Sequence, residues 1–466
     1  MRYKFSISLI VMTIWCVCCI AMVSAAEVSP PQSLTRTDQL HDGQTSDAFA
    51  AAADSGPIIS PAFLAPAQYM VIEVKPASGH SFSKGYGINN LSQIVGRTYN
   101  YNADTQEVED QRALFWDLRT GSRALSTLAE TSGGWGINDT GMASGFSTNA
   151  EGHKRAVRWN LDDDSLLDLG TLTNPNTQQS GDESYGYQGL NNAHTVVGHA
   201  EIPNDAGDFV PFHGFIYDDA NGMRDLGTLT TDSTYMDGYS IAYDITETNV
   251  VVGIANTAGW GYRGFVWTEE NGMAELAVDS ARASGEWYAT AINESGLIGG
   301  QVIEGAGIYP YYWPSKDVDP VAVTMPTAYP YGEIYSLNEN GQMVGGMFND
   351  AEEDRAFIFD SINGLVDLND RIDTGSGWQL LTAVDINDMG QITGIGELNG
   401  DKRAFVLTPD ADTDADSDID GRDIFALVQE IGQTPCSGGC SCDFNDDDAV
   451  NNIDVLLLAM ILGHTS

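Results

Sequence analysis

The stretch Asp385-Ile-Asn387-Asp-Met-Gly390 is one copy of a short phrase that recurs along the chain. The other copies are Trp135-Gly-Ile-Asn138-Asp-Thr-Gly141, Ala291-Ile-Asn293-Glu-Ser-Gly296, Leu337-Asn338-Glu-Asn-Gly341 and weaker forms at Asn89, Asn191 and Thr246. The seven anchor positions, 89, 138, 191, 246, 293, 338 and 387, are spaced by 45 to 55 residues. Repeats of this length are typical of propellers and solenoids.

Each anchor is followed by two further motifs. The first is short, aromatic and β-branched, as in Arg263-Gly-Phe-Val-Trp267, and the second is an acidic strand such as Val366-Asp367-Leu368. These compositions are typical of strands. The Asn-x-x-Gly segment itself predicts a hairpin turn, because glycine supplies the positive φ that the turn needs. Each unit therefore offers four strands.

The seventh unit lacks its fourth strand, since the composition changes to Asp, Thr and Pro soon after Val406. The missing strand is present at the other end of the repeat region, as Tyr69-Met-Val-Ile-Glu-Val74. Closing a ring in this way removes exposed sheet edges. We therefore predict an all-β fold, a seven-bladed β-propeller over residues 68–408 in which the N-terminal strand completes the last blade.

The N-terminus predicts export. A basic start, an apolar run from Ile7 to Val23 and small residues at Ser24-Ala-Ala26 form a secretory signal peptide over residues 1–26. Residues 27–67 have the composition of a disordered leader. No other segment has the roughly 20 apolar residues of a membrane span. The sequence thus predicts a secreted or cell-surface protein.

The chain is strongly acidic, with 66 Asp and Glu against 21 Lys and Arg and a formal net charge of −45. Nucleic acid and anionic membranes are poor partners for such a surface. The acidity is explained either by divalent-cation binding or by solubility in a saline medium.

Residues 409–466 contain two acidic loops of calcium-binding pattern. Oxygen ligands alternate along each loop and position 7 offers its backbone carbonyl, as Ca²⁺ coordination by six to eight oxygens requires. The predicted ligands of two Ca²⁺ ions are Asp412, Asp414, Asp416, Asp418, Asp420 and Asp423 in the first loop and Asp443, Asn445, Asp447, Ala449, Asn451 and Asp454 in the second. A segment this short buries little core, so calcium could equally serve only to stabilise a C-terminal cap.

These paired loops, each followed by an amphipathic helix and with Asp at position 12, resemble the dockerin module. The resemblance implies a small α-helical calcium-loop domain that docks to a cohesin-type or other cell-surface protein. Ser417 and Asp448 replace the usual glycine at position 6. The 69–407 repeat resembles the exported repeats named for their His-Ala-Phe strand, here Arg-Ala-Phe or a relative. That resemblance implies the fold and export, and little about chemistry.

Charged residues recur at fixed places in the repeat. Arginines occupy one slot and acidic residues the neighbouring strand, which predicts cross-strand ion pairs. The residues are Arg112, Arg155, Arg263, Arg355 and Arg403, with Asp168, Asp225, Glu275 and Asp367.

Aromatic residues recur where the chain enters each inner strand. Loops there would surround one mouth of the channel, and aromatic rings suit the faces of sugars. Filling of the gaps between blades is the alternative explanation. The candidate ligand residues are Trp135, Tyr187, Trp287, Tyr288, Tyr335 and Trp378.

The sequence contains no metal-type histidine spacing, nucleophile elbow or phosphate loop. It predicts a secreted, non-catalytic binding or scaffold protein, with the propeller as a ligand or glycan platform and the calcium loops as a docking or stabilising module. Polysaccharide is one candidate partner, and the sequence does not identify the propeller ligand. Two alternatives remain open: a carbohydrate-active hydrolase or lyase, whose carboxylate pair sequence alone cannot locate, and a structural surface-layer protein.

Overall fold

The computed structural model describes residues 68–103, 105–205, 210–230, 238–257 and 261–409, together with Cys442, Val450, Asp454 and Val455. Its strands form seven antiparallel sheets of four strands each. The predicted seven-bladed propeller is therefore confirmed.

The first strand, β1 (Tyr69–Val74), belongs to the last blade, and the other strands follow blade by blade. Blades 1 and 2 comprise β2 (Phe82–Ile88), β3 (Ile94–Asn102), β4 (Glu107–Asp117), β5 (Gly121–Ala124), then β6 (Ser132–Gly134), β7 (Met142–Thr148), β8 (Lys154–Asn160) and β9 (Leu166–Asp168). Blades 3 and 4 comprise β10 (Ser184–Leu190), β11 (Val196–Glu201), β12 (Phe212–Asp218), β13 (Gly222–Asp225), then β14 (Ser240–Ile245), β15 (Val251–Asn256), β16 (Tyr262–Thr268) and β17 (Gly272–Glu275).

The remaining blades continue in the same order. Blades 5 and 6 comprise β18 (Glu286–Ile292), β19 (Ile298–Glu304), β20 (Gly307–Trp313), β21 (Val321–Ala322), then β22 (Tyr331–Leu337), β23 (Met343–Phe348), β24 (Asp354–Asp360) and β25 (Gly364–Asp367). Blade 7 comprises β26 (Trp378–Ile386), β27 (Ile392–Leu398) and β28 (Asp401–Pro409). Two short 3-10 turns lie at Ser280–Arg282 and Leu368–Arg371.

The ring closes where β1 pairs with β28 in antiparallel register, from Tyr69 opposite Pro409 to Val74 opposite Ala404. The predicted split blade is thus confirmed. Across this seam the Arg403 guanidinium lies 3.1 Å from the Glu73 carboxylate. This pair repeats at the seam the contact that other blades make between their third and fourth strands.

Those cross-strand pairs are confirmed in three blades, where Arg and carboxylate lie within 2.9 to 3.4 Å. The pairs are Arg155 with Asp168, Arg263 with Glu275, and Arg355 with Asp367. In blade 3 His213 takes the arginine slot and lies 3.0 Å from Asp225. Arg112 differs, because its guanidinium meets Asp110 on its own strand at 2.8 Å. Partly exposed pairs of this kind each contribute little to stability.

The hydrophobic core lies between the blades. In one cluster Val95 and Phe115 of blade 1 pack with Phe146 and Trp159 of blade 2, and all four are buried. The Trp159 indole nitrogen donates to the Ser126 carbonyl at 2.8 Å, so its polar atom is satisfied inside the core. Each blade therefore depends on its neighbours for burial.

In six blades a glycine in the second strand lets that strand approach the inner one. A Cβ at Gly345 would lie 1.8 Å from the Glu333 carbonyl oxygen, and one at Gly394 would lie 2.0 Å from that of Thr382. No side chain fits at such a distance. This second-strand glycine, which is distinct from the glycine of the Asn-x-x-Gly turn, is therefore required by the packing of the two strands.

The anchor asparagines join the blades into a belt. Each Oδ1 accepts backbone N–H groups of its own turn, while each Nδ2 donates to the backbone carbonyl of the next blade's anchor. The Nδ2 links run from Asn89 to Asn138 (2.8 Å), Asn138 to Asn191 (2.6 Å), Asn191 to Thr246 (3.1 Å), Asn293 to Asn338 (3.1 Å), Asn338 to Asn387 (3.0 Å) and Asn387 to Asn89 (2.9 Å).

The belt is broken at one position, because Thr246 replaces asparagine and has no amide to donate onward. Its hydroxyl still accepts the backbone N–H of Val250 at 3.0 Å. Threonine thus keeps the cap of the turn and loses the link to Asn293.

The predicted calcium-loop domain over 409–466 falls almost wholly outside the described residues. Asp454 and Val455 have α-helical backbone, but no complete helix is delimited among the described residues, so the helical part of this domain is not supported. Of the predicted calcium ligands only Asp454 is described, and it is buried. The calcium assignment therefore stays a prediction. In the described portion no helix is long and apolar enough to cross a membrane.

The gap in the belt gives a reciprocal test. Thr246→Asn should raise the free energy of unfolding by about 1 kcal/mol, because it adds one buried hydrogen bond at little cost. Asn338→Thr should lower it by about 1–3 kcal/mol, because it leaves the Asn387 carbonyl without its donor. Urea unfolding measures both values. Equal stability of wild type and both variants would show that the belt contributes nothing.

Candidate functional site

Two cavities lie at opposite ends of β22. One, of about 300 Å³, is the channel mouth beside the Asn-x-x-Gly turns and contacts Leu337. The other, of about 240 Å³, lies at the start of the strand and contacts Tyr331. Tyr335 borders both. We call them the turn-side mouth and the blade 5–7 pocket.

The turn-side mouth is lined by seven carboxylates, and none of the described residues around it is Lys, Arg or His. The carboxylates belong to Asp139, Asp244, Glu247, Glu294, Glu339, Asp385 and Asp388. Sequence reasoning had attributed the acidity to cation binding or to solubility and had not placed it at one mouth.

Most of these carboxylates have a structural task. In every blade except the third, where Asn192 does not do so, the residue after the anchor accepts the backbone N–H of its counterpart in the preceding blade. Glu294 N–H donates to Glu339 at 3.0 Å, Glu339 N–H to Asp388 at 3.0 Å, and Asn90 N–H to Asp139 at 2.7 Å. They form a second belt outside the first. No group of three His, Cys, Asp or Glu in the described part of the chain is arranged to hold a metal ion.

Two aspartates lie deeper in this mouth. Burial raises the pKa of Asp244 to about 7, with a further contribution from the charges of Asp385 and Glu294. Burial likewise raises the pKa of Asp385 to about 7, although its Oδ1 accepts the Ser336 hydroxyl and its Oδ2 the Ile88 N–H. The pKa of Glu339 is also raised to about 7, chiefly by burial. Protonation near neutral pH therefore relieves charge repulsion here.

Aromatic rings cover part of the channel wall. Tyr86 and Trp135 have centroids 4.2 Å apart, Trp135 and Tyr187 6.4 Å, and Tyr187 and Tyr243 5.2 Å. The Gln188 amide reaches across and donates to the Tyr86 carbonyl at 3.1 Å. These rings pack mainly on one another, which accounts for their recurrence in the repeat.

The structure does not bring the six aromatic candidates together. Trp135 and Tyr187 lie in the channel wall and Tyr335 borders both cavities. Trp287 is fully buried in the blade 5 core, with its indole nitrogen 3.1 Å from the Arg282 carbonyl. The last two candidates, Tyr288 and Trp378, contact Glu286 and Phe405 respectively. Only Tyr335 contributes to the blade 5–7 pocket.

That pocket combines aromatic walls with carboxylates. Tyr331, Tyr335 and Phe348 supply rings, and the Tyr331 and Phe348 centroids are 5.7 Å apart. Carboxylates come from Glu333 and from three residues in and beside the β23–β24 loop, namely Asp350, Glu352 and Asp354.

Glu333 is the most enclosed of these acids, with 2% of its surface exposed. It accepts a hydrogen bond from the Tyr335 hydroxyl. Burial, reinforced by the charge of Glu352 and opposed by that of Lys402, raises the pKa of Asp354. None of the described lining residues is basic. The pocket is thus apolar on one side and negative on the other.

The pocket exists because blade 6 departs from the repeat. Gly346 pairs with Glu333, and its Cβ position would lie 3.5 Å from the Thr382 side chain of blade 7. In the other blades the same register position holds a larger residue: Arg97, Phe146, His199, Ile254, Gln301 or Ile395. Those side chains occupy the space that Gly346 leaves open.

The sequence indicated Tyr335 as a candidate ligand residue but did not predict this cavity. A signal was present, since aligning the seven repeats shows glycine where every other copy has a side chain. That signal can be interpreted only when the strand register is known, because the register shows which residue lies opposite Gly346.

Comparison with known proteins finds distant structural resemblance. No protein-family model matches the chain, and no curated protein matches it. Solved structures that resemble it include the β-propeller domain of the trilobed protease from Pyrococcus furiosus, with 9% identity, TM-score 0.42, and coverage of 63% of this chain and 85% of that one.

Two other similar structures are an oligogalacturonate lyase in complex with manganese and a lectin. The lyase has 13% identity and TM-score 0.44, with coverage of 73% of this chain and 96% of that one. The Aleuria aurantia lectin, in complex with Fucα1-6GlcNAc, has 12% identity and TM-score 0.36, with coverage of 63% and 97%. A propeller is compatible with binding and with enzymatic roles.

The buried aspartates predict a pH-dependent stability. Because the folded pKa values of Asp244 and Asp385 lie near 7, above the ordinary value of 3.8, the folded state binds more protons than the unfolded state between these limits. Stability should therefore fall as the pH rises from about 4 to about 7. Urea unfolding of the Asp244→Asn/Asp385→Asn variant should show a shallower fall.

The exposed Asp319 provides a control, since Asp319→Asn removes a carboxyl group away from the mouth. Its pH profile should follow that of the wild type. A double variant with an unchanged profile would refute the assignment.

Proposed function

We propose that the chain is a non-catalytic binding protein and that its propeller binds a glycan in the blade 5–7 pocket. The observation that carries this proposal is a cavity at the register position where Gly346 replaces the side chain of the other six blades, lined by aromatic rings and by a buried carboxylate. Ligand sites typically combine apolar walls with a few well-placed polar groups.

Glycans suit this composition. Tyr331, Tyr335 and Phe348 offer flat surfaces for the apolar faces of sugar rings. Carboxylates such as Glu333 and Asp354 accept hydrogen bonds from hydroxyl groups. At about 240 Å³ the cavity is somewhat smaller than the roughly 300–1,000 Å³ of pockets for drug-sized ligands. It therefore favours a terminal sugar over an internal segment of a polymer.

We further propose that the protein is exported and that residues 409–466 bind two Ca²⁺ ions. The acidic loops 412–423 and 443–454 support this part of the proposal by their ligand spacing. The calcium module would either dock to a cohesin-type or other surface protein or stabilise the C-terminus.

An enzymatic alternative also has an observation in its favour. Glu333 and Asp354 contribute two carboxyl groups to one pocket, and burial raises the pKa of Asp354. Glycoside hydrolysis uses such a pair, one acid protonated and one ionised. Release of reducing sugar from a bound glycan would establish this alternative and reject the non-catalytic role.

Gly346→Ile tests the binding site. Isoleucine occupies this register position in blade 7 as Ile395, and a Cβ at Gly346 makes only ordinary contact with Thr382 at 3.5 Å. The variant should keep the wild-type melting temperature and lose at least tenfold in affinity for glycans retained by the wild type on an array. If the folded variant binds glycans as tightly as the wild type does, the ligand does not bind in this pocket.

Calcium binding is tested by calorimetry of the full chain. We expect two Ca²⁺ ions per chain, and position 12 should be essential in each loop because it supplies a bidentate ligand. Asp423→Ala and Asp454→Ala should each reduce the number to one. Unchanged stoichiometry in both variants would reject the loop assignment.

A further inference from the structure

We infer that the glycan bound in the blade 5–7 pocket carries a protonated amine, as an amino sugar does. This inference rests on the proposed function and adds the chemical class of the ligand. It follows from the charges, the rings and the shape of the pocket.

One acidic residue of the pocket lies at a repeat position that is not acidic in the other blades. Glu333 occupies a register position that holds Lys84, Gly133, Tyr185, Ile241, Tyr288 or Thr382 in the other blades. None of these six is acidic. A carboxylate with 2% exposure is costly unless a positive or donating group meets it. The Tyr335 hydroxyl donates to it, and a ligand ammonium group would add a positive charge beside it.

Charge selects against acidic sugars. Glu333, Asp350, Glu352 and Asp354 line the cavity, and no described lining residue is basic. A uronate would add another negative charge to this group, and like charges placed together in a partly buried site repel strongly. Lys402 lies close enough to Asp354 to lower its pKa, but it does not line the pocket.

The rings fit the same ligand. A cation within about 6 Å of an aromatic centroid is attracted by the face of the ring. Tyr331 and Phe348, with centroids 5.7 Å apart, stand in the same cavity as Glu333. The chain already uses this interaction one blade away, where the Arg282 guanidinium lies 3.6 Å from the Tyr309 centroid.

Shape explains why the acid faces open space. Cross-strand partners project from the same face of a sheet, so the Glu333 side chain lies beside the position that Gly346 leaves empty. The two departures from the repeat, an added acid and a missing side chain, thus occur at one paired position. Together they create a negative recess of limited size.

The experiment measures the binding of three sugar trimers to the full chain by calorimetry at physiological salt. The probes are a glucosamine trimer, its N-acetylated counterpart and a galacturonate trimer. We expect the glucosamine trimer to bind at least tenfold more tightly than the N-acetylated one, and the galacturonate trimer not to bind. Glu333→Gln should reduce the preference for the amine to less than threefold.

Two controls separate the pocket from the general attraction that a net charge of −45 exerts on any cation. Glu353→Gln removes an equal charge from the exposed part of the same loop and should bind as the wild type does. Gly346→Ile keeps every charge and should lower the affinity for the glucosamine trimer at least tenfold. Melting temperatures verify that each variant is folded.

The outcomes distinguish this inference from the proposed function. If the N-acetylated trimer binds as well as the amine, or if Glu333→Gln keeps the preference, the inference is overturned while glycan binding stands. If folded Gly346→Ile binds all probes as the wild type does, the ligand lies outside the pocket and both are overturned. The same holds if no probe and no arrayed glycan binds.

Discussion

The hydrogen bond from each anchor amide to the next anchor's carbonyl is the contact on which the ring depends. One asparagine both caps its own turn and fixes the adjacent blade, so local and long-range order have a common cause. Asn387 closes the circle by donating to the Asn89 carbonyl at 2.9 Å, although the two residues are 298 positions apart. Satisfying buried backbone carbonyls in this way is a requirement of folding.

The acidic turn-side mouth follows from the same geometry. A side chain placed directly after the anchor reaches the backbone N–H of the preceding blade, and a carboxylate is a strong acceptor there. Five blades place an acid at this position, as Glu294 and Glu339 do. Bringing these charges together raises the pKa of Asp244 and Asp385, whose burial is the larger cause. The carboxylates at the turn-side mouth therefore have a structural role, because they link neighbouring blades by hydrogen bonds.

The candidate ligand site lies where the repeat is interrupted. Six blades fill one register position with a side chain, and blade 6 leaves it empty at Gly346 while placing Glu333 opposite. The recurring aromatic residues do not form one site. Some of them lie in the channel wall, and Trp287 is fully buried in the core. The features that recur from blade to blade stabilise the ring, whereas Glu333 and Gly346, which depart from the repeat, create a negatively charged cavity.

The sequence by itself determined the period, the four strands of each blade and the completion of the last blade by Tyr69–Val74, because periodicity and strand composition act locally. It also indicated the Arg–carboxylate pairs, since neighbouring strands repeat in a fixed order. Only the tertiary structure decided that the anchor amides form a belt, that Trp287 is core, and that Glu333 and Gly346 share a cavity. Those facts depend on register and on contacts between blades, where one residue's shift moves a side chain to the opposite face.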